Sequence, residues 1–164
     1  MKDMTVSKAL KWIFIAAILL LIPIANIVGF VLNLVALYAA GKLQKGYNTA
    51  FMLSIVGIVV SVIDAFASGV FGTIVGIVST VVSLGILYFV VMTTNALLSD
   101  SELIAKGEKI WKINLLCTIA SVVLSLLSFI PVLAGILAFV VAIVGIVATV
   151  LYLIYLYKSS KALA

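Results

Sequence analysis

Histidine and arginine are missing from this chain of 164 residues, cysteine occurs once, and only five residues are acidic. Without histidine there is no imidazole for an ordinary metal site, and none to act as base beside a serine or cysteine nucleophile. The single Cys117 excludes an internal disulfide, and its place inside an apolar run reads as a packed side chain rather than a reactive thiol. Four carboxylates, Asp3, Asp100, Glu102 and Glu108, share short segments with lysines, which leaves no buried carboxylate pair for acid–base work. The expectation is a protein that is not an enzyme and carries no cofactor or metal.

Charge of either sign is also scarce. Charged residues make up 9% of the chain and hydrophobic ones 66%, with a mean hydropathy of +1.48. A soluble domain needs roughly a quarter of its residues charged, so lipid has to serve as the solvent. The net charge of +5 comes from lysines beside apolar runs, where ammonium groups snorkel toward anionic headgroups. Membrane lipid is therefore an expected partner and nucleic acid is not.

What is present is an ordered distribution of lysine. All ten lysines fall in four short segments: Lys2, Lys8 and Lys11; Lys42 and Lys45; Lys106, Lys109 and Lys112; Lys158 and Lys161. Between them run lysine-free stretches of 30 residues (12–41), 60 residues (46–105) and 45 residues (113–157). One helical crossing takes about 20 residues, so each stretch suits two. Two crossings per stretch return every lysine to one side, as the positive-inside asymmetry requires. The predicted fold is all-α and integral to the membrane, with six transmembrane helices arranged as three tandem helical hairpins in one bundle. It forms a single domain over 1–164, with hairpins near 8–42, 47–98 and 109–158. Both termini and both lysine-bearing loops are expected in the cytoplasm. Lysine used to the exclusion of arginine hints at a bacterial plasma membrane.

Turns are predicted at Ile22-Pro23, at Asp64–Gly69 and at Ile130-Pro131, because proline opens a new helix and disfavours helix in the residue before it. A proline kink inside a longer helix is the alternative. The first arm, Ala9 to Ile22, reaches only about 21 Å at the α-helical rise, so whether the first hairpin fully crosses stays open. Lys2, Lys8 and Lys11 before an apolar run look like the start of a signal peptide, but Pro23 spoils the cleavage position and the segment is read as a retained span. Trp12, Tyr38, Tyr47, Tyr88, Trp111, Tyr152, Tyr155 and Tyr157 fall near the lysine-bearing ends, where an interfacial aromatic belt is expected. The segment from Ser99 to Trp111 carries a capping box and predicts a short interfacial helix broken at Gly107.

Small and polar residues recur every three or four positions in the second arm of each predicted hairpin. They read Asn26, Gly29, Asn33, Ala36, Ala40; Gly69, Gly72, Gly76, Ser79, Ser83; and Gly135, Ala138, Ala142, Gly145, Thr149. Two leading arms carry a related stripe, Ser54, Gly57, Ser61, Asp64 and Thr118, Ser121, Ser125, Ser128, and the ends Thr93–Leu97 and Ser159–Leu163 rhyme. This suggests an internal repeat whose seams bring helix backbones together, with hydroxyls bonded across helices. The same faces could instead line a polar path. The candidate residues for path or packing are Asn26, Asn33, Ser54, Ser61, Asp64, Gly72, Gly76, Thr118, Ser121 and Ser125. Asp64, at a turn, is expected to cap the helix that follows; an ion-coupling role is its alternative.

Absent any catalytic constellation, the leading expectation is a scaffold or accessory subunit of a membrane assembly, partnered by other membrane subunits or by copies of itself. An oligomeric channel or small-solute transporter is the first alternative. A membrane-shaping hairpin protein is the second.

Overall fold

The computed structural model describes residues 4–126 and 131–164. It contains six helices and, among the described residues, no strand: α1 (Val6–Leu20), α2 (Asn26–Gly41), α3 (Lys45–Asp64), α4 (Gly69–Asn95), α5 (Ser101–Leu126) and α6 (Pro131–Ala162). Four segments are long and apolar enough to cross a membrane, namely Lys45–Asp64, Gly69–Asn95, Ser101–Leu126 and Leu137–Ala162, which marks an integral membrane protein. The α2 helix is apolar but has 16 residues, and α1 has 15.

The helix ends follow from local chemistry. Thr5, in extended conformation, caps α1 by accepting from the Lys8 amide at 3.3 Å. The α1 helix stops three residues before Pro23, which sits exposed in the connection from Leu21 to Ala25. The connection between α3 and α4 ends at Gly69, whose φ of 59° suits a residue without a Cβ. At α5, Asp100 accepts from the amides of Glu102 and Leu103 at 2.9 and 3.2 Å. The expected turn at Ile130 lies outside the described residues; Pro131 is the first residue of α6.

Each helix packs on its neighbours in sequence, and α6 returns against α1, so the six form a closed ring. Packing within that ring is uneven. Leu10, Leu37, Tyr47, Val90, Val91, Tyr155 and Leu156 are fully buried, and all lie toward the end of the bundle that carries the lysines. At the opposite end Ile24, Phe66 and Val70 are 96%, 87% and 79% exposed. Lipid tails are as apolar as leucine, so burying these chains gives little by itself, and close contact between backbones is what holds helices together in a membrane. Such contact is found near the turn between α1 and α2, where a Cβ added at Gly29 would come within 2.8 Å of the Leu20 amide and 2.9 Å of the Ala16 carbonyl, and the lysine end adds tight fits between glycines and side chains. A Cβ added at Gly46 would strike the Thr93 side chain on α4, and one at Gly107 would come within 2.4 Å of the Asn95 amide.

Several expectations change at this point. Gly107 does not break a helix; α5 runs through it without interruption, and the missing side chain admits Asn95. Its cap is Asp100, not a reciprocal box beginning at Ser99. Tyr47 and Tyr155, expected in an interfacial belt, turn inward, whereas Trp12, Tyr38, Tyr88 and Tyr157 are exposed as a belt requires. Asp64 does not cap α4. It ends α3, exposed, and the residue ahead of α4 is Ser68, which makes no side-chain capping bond.

The hydroxyls also behave differently from expectation. Along the apolar lengths of the helices they bond to their own backbone four residues earlier: Ser54 to Ala50, Thr80 to Gly76, Ser83 to Ser79, Ser125 to Ser121 and Thr149 to Gly145. This back-bonding satisfies a hydroxyl in lipid without a partner helix. Bonds between helices occur instead at the lysine end.

Candidate functional site

Two features of the interior stand out, an inner closure and a cavity above it. The closure is built from α3, α4, α5 and α6. The Thr94 hydroxyl donates to the Val90 carbonyl at 2.7 Å, so its single proton is committed and the Tyr47 hydroxyl, 2.7 Å away, is the donor in their contact. The Tyr155 hydroxyl donates to Asn95 Oδ1 at 2.6 Å, with the Val91 carbonyl a more distant acceptor at 3.2 Å. Asn95 in turn donates from Nδ2 to the Ile104 carbonyl at 3.2 Å. On the other side of the ring the Ser7 hydroxyl donates to the Ser160 carbonyl at 2.6 Å and ties α1 to α6. Two inward tyrosines and their partners therefore fill the bundle at the lysine end.

Above this closure lies a cavity of about 620 Å³ bounded by α2, α3 and α4. Its polar lining is Asn33 from α2, Ser54 and Ser61 from α3, and Ser79 and Ser83 from α4. Its apolar lining includes Phe30, Ile58 and Ile86, and Phe66 stands at the turn end. A smaller space of about 170 Å³ shares Asn33, Ser83 and Ile86 with it and reaches down to Leu37, Val90 and Tyr152. The two are continuous through these shared residues, and the larger one reaches Ala65 and Phe66 in the connection between α3 and α4. The joint space narrows toward the tyrosine closure.

The chemistry of the wall is uniform. Among its lining residues there is no ionisable side chain. Ser54 and Ser83 spend their protons on their own helices and so present lone pairs, while the Asn33 amide and the Ser61 and Ser79 hydroxyls make no hydrogen bond among the described residues. Such a surface offers both donors and acceptors without fixed charge.

Of the residues singled out from the sequence, Asn33, Ser54 and Ser61 come together in this cavity. Asn26 begins α2 and is exposed beside the turn, and Asp64 is exposed at the end of α3, one turn beyond Ser61. Gly72 faces the carbonyl of Ala67 in the preceding connection. Gly76 stands on the same face of α4 as Ser79 and Ser83, where a Cβ would meet nothing within 4 Å; the same is true of Gly145 on α6. Thr118, Ser121 and Ser125 lie on α5 and are not part of the cavity lining. The sequence reading placed Ser79 and Ser83 in a stripe without selecting them, and it missed the tyrosine closure. The available signal was a pair of tyrosines at equal depth to Thr94 and Asn95.

Among the described residues no group of histidine, cysteine, aspartate or glutamate could hold a metal ion. No protein-family model, curated protein or solved structure matches this chain.

Proposed function

We propose that this protein is a six-span membrane protein that admits a small, uncharged, hydrogen-bonding solute into its interior, as a channel or carrier held shut at the lysine end. The observation that carries this reading is the convergence of Asn33, Ser54, Ser61, Ser79 and Ser83 from three helices on one cavity of about 620 Å³. An uncharged lining favours neutral solutes such as polyols or amides, because an ion would leave its hydration shell without a compensating charge. The tyrosine bonds are the inner gate, and the lysine end faces the cytoplasm by the positive-inside asymmetry. In this reading all six helices cross. The 15 residues of α1 reach about 22 Å, short of the hydrocarbon thickness, and local thinning of the bilayer makes up the difference.

The test is solute entry into liposomes containing the purified chain, followed by light scattering with glycerol and urea as probes. Entry above that of protein-free vesicles, reduced at least severalfold by Asn33→Leu in a protein that still folds, supports the proposal. Equal permeability with and without the protein for both probes overturns it.

A second reading is favoured by a different observation. In the 18-residue apolar windows of α5 and α6 only 6% of residues are buried. Those apolar faces would suit a scaffold or accessory subunit packed against other membrane subunits or a second copy. Co-purification of a stoichiometric partner from native membranes would support that role.

A further inference from the structure

Where α5 and α6 meet at the lysine end, a groove of about 200 Å³ separates them. Its walls are apolar, formed by Leu103 and Ile110 of α5 and Leu151 and Ile154 of α6, and its rim carries Lys106, Lys109 and Lys158. No carboxylate lines it. Lys106 pairs with Glu102 along α5, but among the described residues Lys109 and Lys158 have no ion pair. Two unpaired ammonium groups from different helices therefore flank one apolar slot at the lysine end of the bundle.

We propose that this groove is a discrete binding site for one anionic phospholipid, with an acyl chain between Leu151 and Ile110 and the phosphate held by Lys109 and Lys158. The assignment does not depend on the solute reading. It rests on charge complementarity and on the matching order of apolar slot and cationic rim, which is that of a phospholipid from tail to head. A soluble phosphate would use the lysines and ignore the slot, and a zwitterionic lipid would use the slot and gain little from the lysines. By bridging α5 and α6 the bound lipid also fastens two neighbouring helices of the ring.

Native mass spectrometry of the full chain in mild detergent, titrated with phosphatidylglycerol or phosphatidylcholine, tests the site. The unaltered protein should retain one phosphatidylglycerol. The double variant Lys109→Gln, Lys158→Gln should weaken retention by on the order of 10- to 30-fold, while Lys42→Gln, Lys45→Gln, which removes the same charge outside the groove, should change it less than about 2-fold. Inorganic phosphate at millimolar concentration should not displace the lipid. Equal loss in both double variants would reduce the effect to diffuse surface charge. Equal retention of phosphatidylcholine, displacement by phosphate, or no retained lipid would each overturn the assignment.

Discussion

Removing the hydroxyl of Tyr155 should destabilise the bundle more than removing that of Tyr47, although both side chains are fully buried and both bond to α4. The difference lies in what each deletion leaves behind. Tyr155→Phe strands Asn95 Oδ1, an acceptor in a residue only 9% exposed that has no other donor among the described residues. An unsatisfied buried acceptor costs about 1 to 3 kcal/mol in water-soluble proteins, and bonds between membrane helices average about 0.6 and reach about 1.7 kcal/mol, so about 1 to 2 kcal/mol is expected. Tyr47→Phe strands nothing, because Thr94 keeps its bond to the Val90 carbonyl, and its cost should stay at or below about 0.6 kcal/mol. Reversible unfolding in mixed micelles of mild detergent and dodecyl sulfate, followed by circular dichroism, measures both. In an Asn95→Ala background the Tyr155 hydroxyl can fall back on the Val91 carbonyl, so Tyr155→Phe should cost clearly less there. Equal costs for the two tyrosines, or no coupling between Tyr155 and Asn95, would refute the proton assignments of the closure.

Three further outcomes follow from the packing. Gly107→Ala should lose on the order of 1 to 3 kcal/mol, because its Cβ would press on the Asn95 amide, whereas Gly76→Ala, in open space, should be neutral or stabilise by up to about 1 kcal/mol through helix propensity; the same micelle titration compares them. Asp64→Asn should leave both stability and solute entry unchanged, since the carboxylate is exposed and caps nothing; a proton- or cation-driven uptake lost in this variant would point instead to ion coupling. In a Cys117→Ser background, a cysteine at Gln44 should resist an impermeant thiol reagent added to intact cells and one at Phe66 should react, with the reverse pattern contradicting a cytoplasmic lysine end.

What the sequence revealed and what it concealed divide along one physical line. The break between α1 and α2 and the one between α3 and α4 were legible because Pro23 and Gly69 act on the backbone within a few residues. The membrane class was legible from scarce charge and high hydropathy together. Which way a side chain points was not, because a helix in lipid is apolar on every face and its hydrophobic pattern carries little phase. The expected belt positions of Tyr47 and Tyr155 thus carry no sign that both rings turn inward. A glycine that admits a neighbour's amide, as Gly107 does, looks the same in sequence as one that ends a helix. Asn33, Ser54 and Ser61 stand out singly in the sequence. Their meeting with Ser79 and Ser83 depends on the relative rotation of three helices, which no single segment encodes.

The claim of an interior open to solute from the turn end and shut at the lysine end is tested most directly by the accessibility of Ser83. In the Cys117→Ser background, reconstituted vesicles carrying Ser83→Cys should react with a small hydrophilic thiosulfonate added on the turn side and not when it is added on the lysine side. Val81→Cys, on the same helix but 55% exposed away from the cavity lining, should be shielded by lipid and react from neither. Reaction of Ser83→Cys from the lysine side, or its failure to react from either side in a folded protein, would contradict the account.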